Sequence, residues 1–257
     1  PESKRGLPTP KVAFYKIFGF SRLFPRSKSF GKYHLSYLDK DKTHEVEILS
    51  GAFMLMRKEA LDKVGLLDED FFMYGEDIDL SYKVLKAGYK NYYYGDPVII
   101  HFKGESTLKD KTYAKRFYGA MRIFYDKHFK KNLLFDLCVS VGTALIPLLK
   151  VNKQTMPEKH KRVVFLSEDK VLGQKLETLG RFEETKTLSF EQFQNESDDV
   201  QGVGLIFDAH HVSYKNIIVQ ILAHQNRNIT FKIIPQDAAF ALGSNSSESR
   251  GEVILLN

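Results

Sequence analysis

Apolar and polar residues along the first half of the chain alternate in patterns that predict short strands and amphipathic helices. In chain order these elements are a buried strand over 46–57 that includes Ala52–Met56, a helix at Arg57–Val64, a helix at Asp77–Lys86, strands at Tyr92–Tyr94 and Val98–Ile100, and a helix at Tyr113–Phe129. Ahead of them, Pro10–Phe30 mixes aromatic and basic residues. That stretch is either a loop or short helix packed on the domain, or a segment that faces a membrane or an acceptor.

The last hundred residues follow a different rhythm, in which strands and helices alternate. The predicted elements are strands at Arg162–Leu166, Val203–Asp208, Ile229–Ile234 and Glu252–Leu256, with helices at Val171–Leu179 and Tyr214–His224. This alternation predicts a small Rossmann-like α/β domain with a parallel sheet. No glycine-rich phosphate fingerprint follows its first strand. Asp208–His211 at a strand end and the Ser-rich loop Gly243–Gly251 are candidate ligand positions, and the pattern assigns this domain no function.

Between these regions lies an apolar run, Leu133–Leu149, with lysines on both sides. It is either an interfacial or membrane-embedded helix, which its basic flanks favour, or a buried domain helix, which Asp136 and the short length favour. Val151–Lys161 is polar and predicts a linker. The predicted organisation is therefore residues 1–130, a helix and linker over 131–160, and a second domain over 161–257.

Charge is unevenly distributed along the 257 residues, whose formal net charge is +6. Residues 1–150 contain 26 Lys and Arg against 18 Asp and Glu, and the remainder contains 12 against 14. A basic first half suits an anionic partner such as a nucleotide-sugar, a lipid pyrophosphate or an acidic membrane surface. Nucleic acid has no motif to support it. The single Cys138 excludes an internal disulfide framework and predicts a cytosolic setting.

The densest group of chemically active residues lies between Leu66 and Asp79, where six acidic residues are interleaved with three aromatic ones. Glu76 and Asp77 fall where the next helix opens, and a helix N-terminus stabilises a carboxylate. An ionised carboxylate there can act as a general base, although Asp77 could also be a plain helix cap.

Two further residues, His101 and Lys103, follow the apolar residues 98–100. A histidine at a strand end beside a glycine-containing loop can bind a metal or phosphate, or it can be a hydrogen-bonded structural residue. Lys103 could neutralise a diphosphate, and it could equally be an ordinary exposed lysine.

Several of these segments, taken together and in order, resemble family 2 glycosyltransferases, and best of all their rhamnosyltransferase-like branch. The resemblance is carried by Ser50–Leu61, Val64-Gly65, Asp68-Glu69, Phe71–Leu80, Ala87-Gly88-Tyr89, His101 and Gly104-Glu105-Ser106. It implies an α/β architecture in which the C-terminal half of a GT-A domain precedes the Rossmann-like domain. It also implies inverting transfer of a sugar from a nucleoside-diphosphate sugar to a glycan or lipid-linked acceptor hydroxyl.

The resemblance also implies roles for particular residues. Asp77 would be the catalytic base and Glu76 its neighbour at the acceptor site, while His101 would be a ligand of Mg²⁺ or Mn²⁺. Gly51, Tyr74, Asp79 and Lys103 are the predicted substrate-binding residues. We expect such a protein in the cytoplasm, at the inner face of the cell membrane.

The chain departs from the family because the nucleotide-binding strands and the Asp-x-Asp metal motif have no counterpart in it. Asp39-Lys40-Asp41 follows no apolar strand and is interpreted as a solvated turn. We therefore expect the chain alone to lack a complete donor site. An alternative is a non-catalytic, membrane-associated scaffold with a degenerate transferase half. A nucleotide-binding α/β module remains a third alternative, which the absence of nucleotide binding would eliminate.

Overall fold

The computed structural model describes residues 3–101, 111–129, 160–196, 202–224, 228–243 and 251–256. The chain divides into two compact units, the first formed by Pro1–Val98 with Asp110–Asn152 and the second by Ile99–Lys109 with Lys153–Asn257. The predicted α/β fold class is confirmed. The exact domain boundaries stay a prediction.

The first unit consists of helices joined by short strand pairs. Its elements are β1 (Lys4–Arg5), α1 (Pro10–Ile17), α2 (Phe20–Leu23), β2 (His44–Val46), β3 (Ile48–Leu49), α3 (Lys58–Val64), α4 (Glu76–Lys86), β4 (Asn91–Tyr93) and α5 (Lys111–His128). The strands pair antiparallel in two ladders, β1 with β3 and β2 with β4. Helix α1 begins at a proline and is capped by the Thr9 side chain, which accepts from the Val12 N–H.

A small apolar core holds α4 between β3 and α5. Ile48, Phe71, Ile78, Ala120 and Phe124 form it and are buried. The buried face of α4 continues through Leu80 and Val84, as its helical spacing predicts. The start of α4 is therefore fixed against two other elements of the same unit.

Two strand predictions in this region are wrong. Ala52–Met56 forms no strand, and its Phe53 and Leu55 side chains are 70% and 98% exposed. Val98–Ile100 forms no strand either, and Val98 and Ile99 are exposed. Apolar composition suggested burial at both places, but neither segment has a neighbouring strand to supply backbone partners among the described residues.

The second unit is built on one mixed sheet. Its elements are β5 (Arg162–Leu166), α6 (Lys170–Thr178), β6 (Glu184–Leu188), α7 (Phe190–Glu196), β7 (Gly204–Asp208), α8 (Tyr214–His224), β8 (Thr230–Ile234), β9 (Phe240–Gly243) and β10 (Glu252–Leu255). The strand order is β10-β9-β8-β7-β5-β6. Strands β6, β5, β7 and β8 are mutually parallel, whereas β9 and β10 run antiparallel to their neighbours.

Apolar clusters cover both faces of this sheet. One face packs Phe165, Ile206 and Ile254 against Leu176 of α6. The other packs Leu205 and Phe207 against α7 and α8. The predicted α/β domain is confirmed, and four of its six strands are parallel as predicted. The predicted last strand, β10, is antiparallel, and β6, α7 and β9 were not predicted.

None of the helices that the structure describes is long and apolar enough to cross a membrane. The predicted helix at Leu133–Leu149 and most of the predicted linker lie outside the described residues. Of the predicted loop Gly243–Gly251, the described residues include only Gly243 and Gly251.

Candidate active site

The backbone turns sharply just before α4. Tyr74 and Gly75 have φ values of 71° and 92°, and Gly75 is the residue that caps the helix. A tyrosine in the left-handed region is strained, and such strain persists only where surrounding packing enforces it. Tyr74 packs edge-on against Phe117 of α5, with ring centroids 6.3 Å apart. Glu76 and Asp77 therefore leave this turn in fixed directions, as the first two residues of the helix.

Asp77 connects two segments that are distant in sequence. Its Oδ2 atom accepts a hydrogen bond from the Gly51 N–H at 3.0 Å, and the Arg5 guanidinium lies 3.8 Å away. Its Oδ1 atom accepts from the Ile78 N–H at 2.8 Å. The side chain is 13% exposed, and the helix cap is Gly75, so Asp77 is not a plain helix cap. An exposed glycine at position 51 permits the approach, because an added Cβ there would lie 3.2 Å from the Asp77 Cβ.

Glu76 has a different environment from that of its neighbour. Its Oε2 atom is buried and has no hydrogen-bond partner among the described residues. Burial raises the pKa of the Glu76 carboxyl, and the nearby Asp77 charge raises it further, against an opposing hydrogen bond from its own backbone N–H. Two adjacent carboxyl groups in unlike environments are a common arrangement for acid–base chemistry.

Asp79 lies on the buried side of α4 and is 1% exposed. Its Oδ1 atom is 2.6 Å from the His128 Nε2 atom on α5. The Lys83 ammonium is 3.1 Å from Oδ2, which makes an ion pair without hydrogen-bond geometry. These contacts join α4 to α5 and direct Asp79 away from the surface on which Asp77 lies partly exposed.

The acidic loop before this turn is also attached to α5. The Lys127 ammonium lies 2.6 Å from both Asp68 and Asp70, and its hydrogen bond lowers the pKa of the Asp68 carboxyl. Phe71 is buried, as its place between acidic residues suggests, whereas Phe72 is 80% exposed and lies under the Arg116 guanidinium. One exposed aromatic ring therefore adjoins the Glu76-Asp77 pair in sequence.

The structure brings together some of the predicted site residues. Gly51 contacts Asp77 directly, and Tyr74 and Glu76 belong to the same turn. His101 is exposed and falls in the second unit, and Lys103 lies outside the described residues. Arg5 was not predicted, because a lone arginine so far upstream has no local pattern that relates it to Asp77.

The part of the chain that the structure describes offers no group of three His, Cys, Asp or Glu side chains that could hold a metal ion. His101 therefore has no described partners for a coordination site of the usual three or four protein ligands. No step of the chemistry below depends on a metal.

Comparisons with known proteins find a similarity over the segment that contains this site. Residues 21–117 match the family described as Glycosyltransferase like family 2. Two curated relatives, from the CDC 1551 / Oshkosh and ATCC 25618 / H37Rv strains of Mycobacterium tuberculosis, are each named N-acetylglucosaminyl-diphospho-decaprenol L-rhamnosyltransferase.

Each relative is 42% identical to the chain over 62 residues, which make up 24% of this chain and 20% of the relative. The matched part of the chain thus spans about one-fifth of the length of these relatives. No solved structure matches the chain. The α/β architecture agrees with the GT-A fold that the resemblance implies, and the matched residues include the α4 turn with Glu76 and Asp77. Through this segment the chain is similar to the family 2-like glycosyltransferases.

Proposed function

We propose that the first unit forms the acceptor side of an inverting glycosyltransferase in which Asp77 is the general base. The donor is a nucleoside-diphosphate sugar and the acceptor is a glycan or lipid-linked hydroxyl. The two relatives support the acceptor class, because their names specify a diphospho-decaprenol-linked sugar. Assembly of a surface polysaccharide or similar glycan is the proposed setting.

The contact between Asp77 and Gly51 carries this proposal. The two residues are 26 positions apart, and each belongs to a separate segment of the family resemblance. Their hydrogen bond brings both segments to one carboxylate. An exposed apolar surface is adjacent in sequence on each side, with Phe53 and Leu55 after Gly51 and Phe72 before the turn. We assign these side chains to the acceptor.

The proposed reaction follows from the position of Asp77. The acceptor hydroxyl attacks the anomeric carbon as the bond from that carbon to the diphosphate oxygen breaks. The hydroxyl proton passes to Asp77, and the nucleoside diphosphate leaves on the opposite face of the sugar, which inverts the anomeric centre. The Gly51 N–H and Arg5 hold the Asp77 carboxylate in one orientation. A general base is more effective when its position relative to the hydroxyl is fixed. Each carboxylate oxygen has two lone pairs. Oδ2 can therefore keep the Gly51 N–H and Arg5 as partners while another lone pair of the Asp77 carboxylate accepts the proton.

The other predicted residues have supporting roles in this proposal. Glu76 adjoins the base at the acceptor, and Tyr74 shapes the turn before α4. Gly51 holds the Asp77 carboxylate, and Asp79 positions α4 through His128. Mg²⁺ or Mn²⁺ is proposed to accompany the donor, while His101 as a metal ligand and Lys103 as a diphosphate contact stay predictions from the sequence. The remaining ligands would have to come from beyond the described residues.

The acceptor class also suggests a membrane surface, and α2 with the loop after it supports this. Residues 3–38 contain eight basic residues and no acidic ones. Arg22, Arg26 and Lys28 are exposed, and none of them forms an ion pair with the residues that the structure describes. Leu23 and Phe24 between them are 70% and 53% exposed. Basic and apolar side chains together suit an anionic lipid surface, so we place the protein at the inner face of the cell membrane.

The test of the reaction compares wild-type protein with Asp77→Asn. Sugar transfer is measured from a panel of nucleotide-sugars to a lipid-pyrophosphate-linked acceptor, with the anomeric configuration of the product determined by NMR. Loss of a general base should lower the rate by about 10²–10⁴-fold. Asp62→Asn is the control, because Asp62 is an exposed helical aspartate of the same unit whose one ion-pair partner among the described residues is Lys58.

Thermal unfolding of each variant distinguishes lost chemistry from lost structure. A folded Asp77→Asn protein with wild-type rates would remove Asp77 from the mechanism. No transfer by the wild type with a donor that it binds would favour the non-catalytic scaffold.

Flotation with vesicles of phosphatidylglycerol and phosphatidylcholine tests the membrane surface separately. Changing Arg22, Arg26 and Lys28 to glutamine should release the protein from the vesicles. The matched control changes Lys40, Lys42 and Lys90, each of which already pairs with an acidic residue. Equal flotation of the two triple variants would contradict the proposed surface.

A further inference from the structure

The second unit contains a cavity of about 290 Å³ at the amino-terminal ends of its parallel strands. That volume is close to the lower end of the range for small-molecule sites, roughly 300–1,000 Å³. Its floor includes Val163 of β5, Gly204 and Ile206 of β7, Thr230 of β8 and Ile254 of β10. The parallel register places Val163, Gly204 and Thr230 side by side.

The packing of this face explains why the cavity exists. Among the described residues α6 is the one helix packed on this face, and its Gly173 lies against Thr187 of the edge strand β6. The next two strands of the sheet after β5, β7 and β8, begin with the small residues Gly204 and Thr230. A Cβ added at Gly204 would lie 3.2 Å from Val163 and 3.3 Å from the Thr230 hydroxyl. The glycine therefore leaves space above the sheet that a larger side chain would fill.

Cationic side chains form one wall of the cavity. Lys232 of β8 is 7% exposed, and its ammonium lies 3.3 Å from the Glu252 carboxylate. The Arg181 guanidinium lies 3.4 Å from the other oxygen of the same carboxylate. His160 also lines the cavity. One carboxylate therefore serves two cations, and the wall keeps a surplus positive charge before His160 is counted.

A buried ammonium is stable only where anionic or hydrogen-bonding partners surround it. Glu252 is a partial partner, because its side chain is 37% exposed and is shared with Arg181. A second negative group beside Lys232 and Arg181 would balance the charge, while the apolar floor would receive whatever is attached to it.

We propose that this cavity binds a small organic anion, with its carboxylate or phosphate group between Lys232 and Arg181 and its apolar body on Val163, Ile206 and Ile254. The site belongs to the second unit alone and does not depend on the transferase proposal. It gives a binding role to a region whose sequence carries no recognised ligand motif.

Parallel α/β sheets commonly bind ligands at the carboxyl ends of their strands, which is the end opposite to this cavity. Asp208 lies there, but it is 2% exposed and already accepts from the Ser167 hydroxyl at 2.6 Å and from the His210 N–H at 3.0 Å. Those bonds close the loop on itself. The amino-terminal edge, with its cavity and its shared carboxylate, is the better site.

Binding can be measured on the full chain by isothermal titration calorimetry with four probes. Phenyl phosphate and benzoate combine an anionic group with an apolar body, inorganic phosphate has only the charge, and benzyl alcohol has only the ring. We expect phenyl phosphate or benzoate to bind with a dissociation constant at least about tenfold below those of inorganic phosphate and benzyl alcohol. Preference between the first two identifies the anionic group.

Two variants test the residues. Lys232→Met keeps much of the side-chain volume but removes the charge, and Arg181→Gln removes the charge of a half-exposed residue. Each should weaken the tighter-binding probe by about tenfold, as expected for one charge-assisted hydrogen bond. Lys161→Gln is the control, because Lys161 is an exposed lysine whose one ion-pair partner in the described part of the chain is Glu183. This variant should bind the probe within about twofold of wild type.

Three results would overturn the proposal. They are no saturable binding of phenyl phosphate or benzoate by the wild type, equal binding of benzyl alcohol, and unchanged affinity in Arg181→Gln together with a folded Lys232→Met.

Discussion

The two units stabilise their backbones in different ways. In the second unit, six strands of four or five residues form one sheet with apolar layers on both faces. In the first unit, the described strands have two or three residues and pair only in twos, so side chains make many of the long-range connections. The Asn91 amide, for example, donates to the Glu47 and Ser81 carbonyls. The arrangement around Asp77 thus depends on a few polar contacts and one tight turn, whereas the second unit depends on apolar area.

The largest expected effect tests the apolar layers of the second unit. Phe207 is fully buried between the sheet and α8. Phe207→Ala should destabilise this unit by about 3–5 kcal/mol, because truncation of a buried aromatic side chain removes its burial and leaves a cavity. Hydrogen exchange of the β7 and β8 amides, measured at increasing denaturant concentration, gives the loss in free energy of unfolding.

Exchange at the Ile78 amide in the first unit tells whether the two kinds of stabilisation are separate. We expect that amide to keep its protection in Phe207→Ala. Val219→Ala, on the exposed side of α8, should change stability by less than about 0.5 kcal/mol. Equal loss of protection in both units would mean that they unfold together.

Sequence patterns served the two units unequally. The strand–helix alternation predicted the second unit because each core strand is a mostly apolar segment of five residues. It missed β6, whose sequence Glu184–Leu188 is mostly polar because it pairs on one side only, at the sheet edge. It also could not identify Lys232, which looks like an ordinary strand lysine until the register places it beside Glu252.

In the first unit, the residue motif was the reliable signal and the apolar pattern was not. The acidic and aromatic motif identified Glu76 and Asp77 at the start of a helix, and the structure has that helix at Glu76–Lys86. The regular pattern failed at Ala52–Met56, where apolar side chains are exposed instead of buried. Arg5 depends on tertiary contact, which no local spacing reveals.

The next effect tests the tight turn. Gly75→Ala should destabilise the first unit by about 2–4 kcal/mol, because alanine is strained at a φ of 92° and its Cβ would lie 3.0 Å from the Phe71 ring. Gly88→Ala separates the two causes. Gly88 has a φ of 88° and nothing within 4 Å of the added Cβ, so it should lose only about 1–2 kcal/mol. Thermal unfolding compares them, and equal losses would show that the Phe71 contact contributes nothing.

The smallest effect concerns Glu76, whose pKa in the folded chain is raised above its ordinary value of 4.5, chiefly by burial. The folded state therefore holds this proton more tightly than the unfolded state does. As pH rises from about 4.5 through the raised value, the unfolded chain ionises first, and the free energy of unfolding falls. Glu76→Gln removes this loss, because a neutral amide does not ionise.

We expect Glu76→Gln to raise the unfolding temperature at pH 8, with no gain at pH 4. Glu59→Gln is the control, since Glu59 occupies the first turn of α3 but is exposed. Its effect should not change across that range. A gain for Glu76→Gln that is equal at pH 4 and pH 8 would assign the effect to packing instead of ionisation. A pH-dependent gain would mean that the turn before α4 holds Glu76 in its buried position, beside Asp77, at a cost in stability.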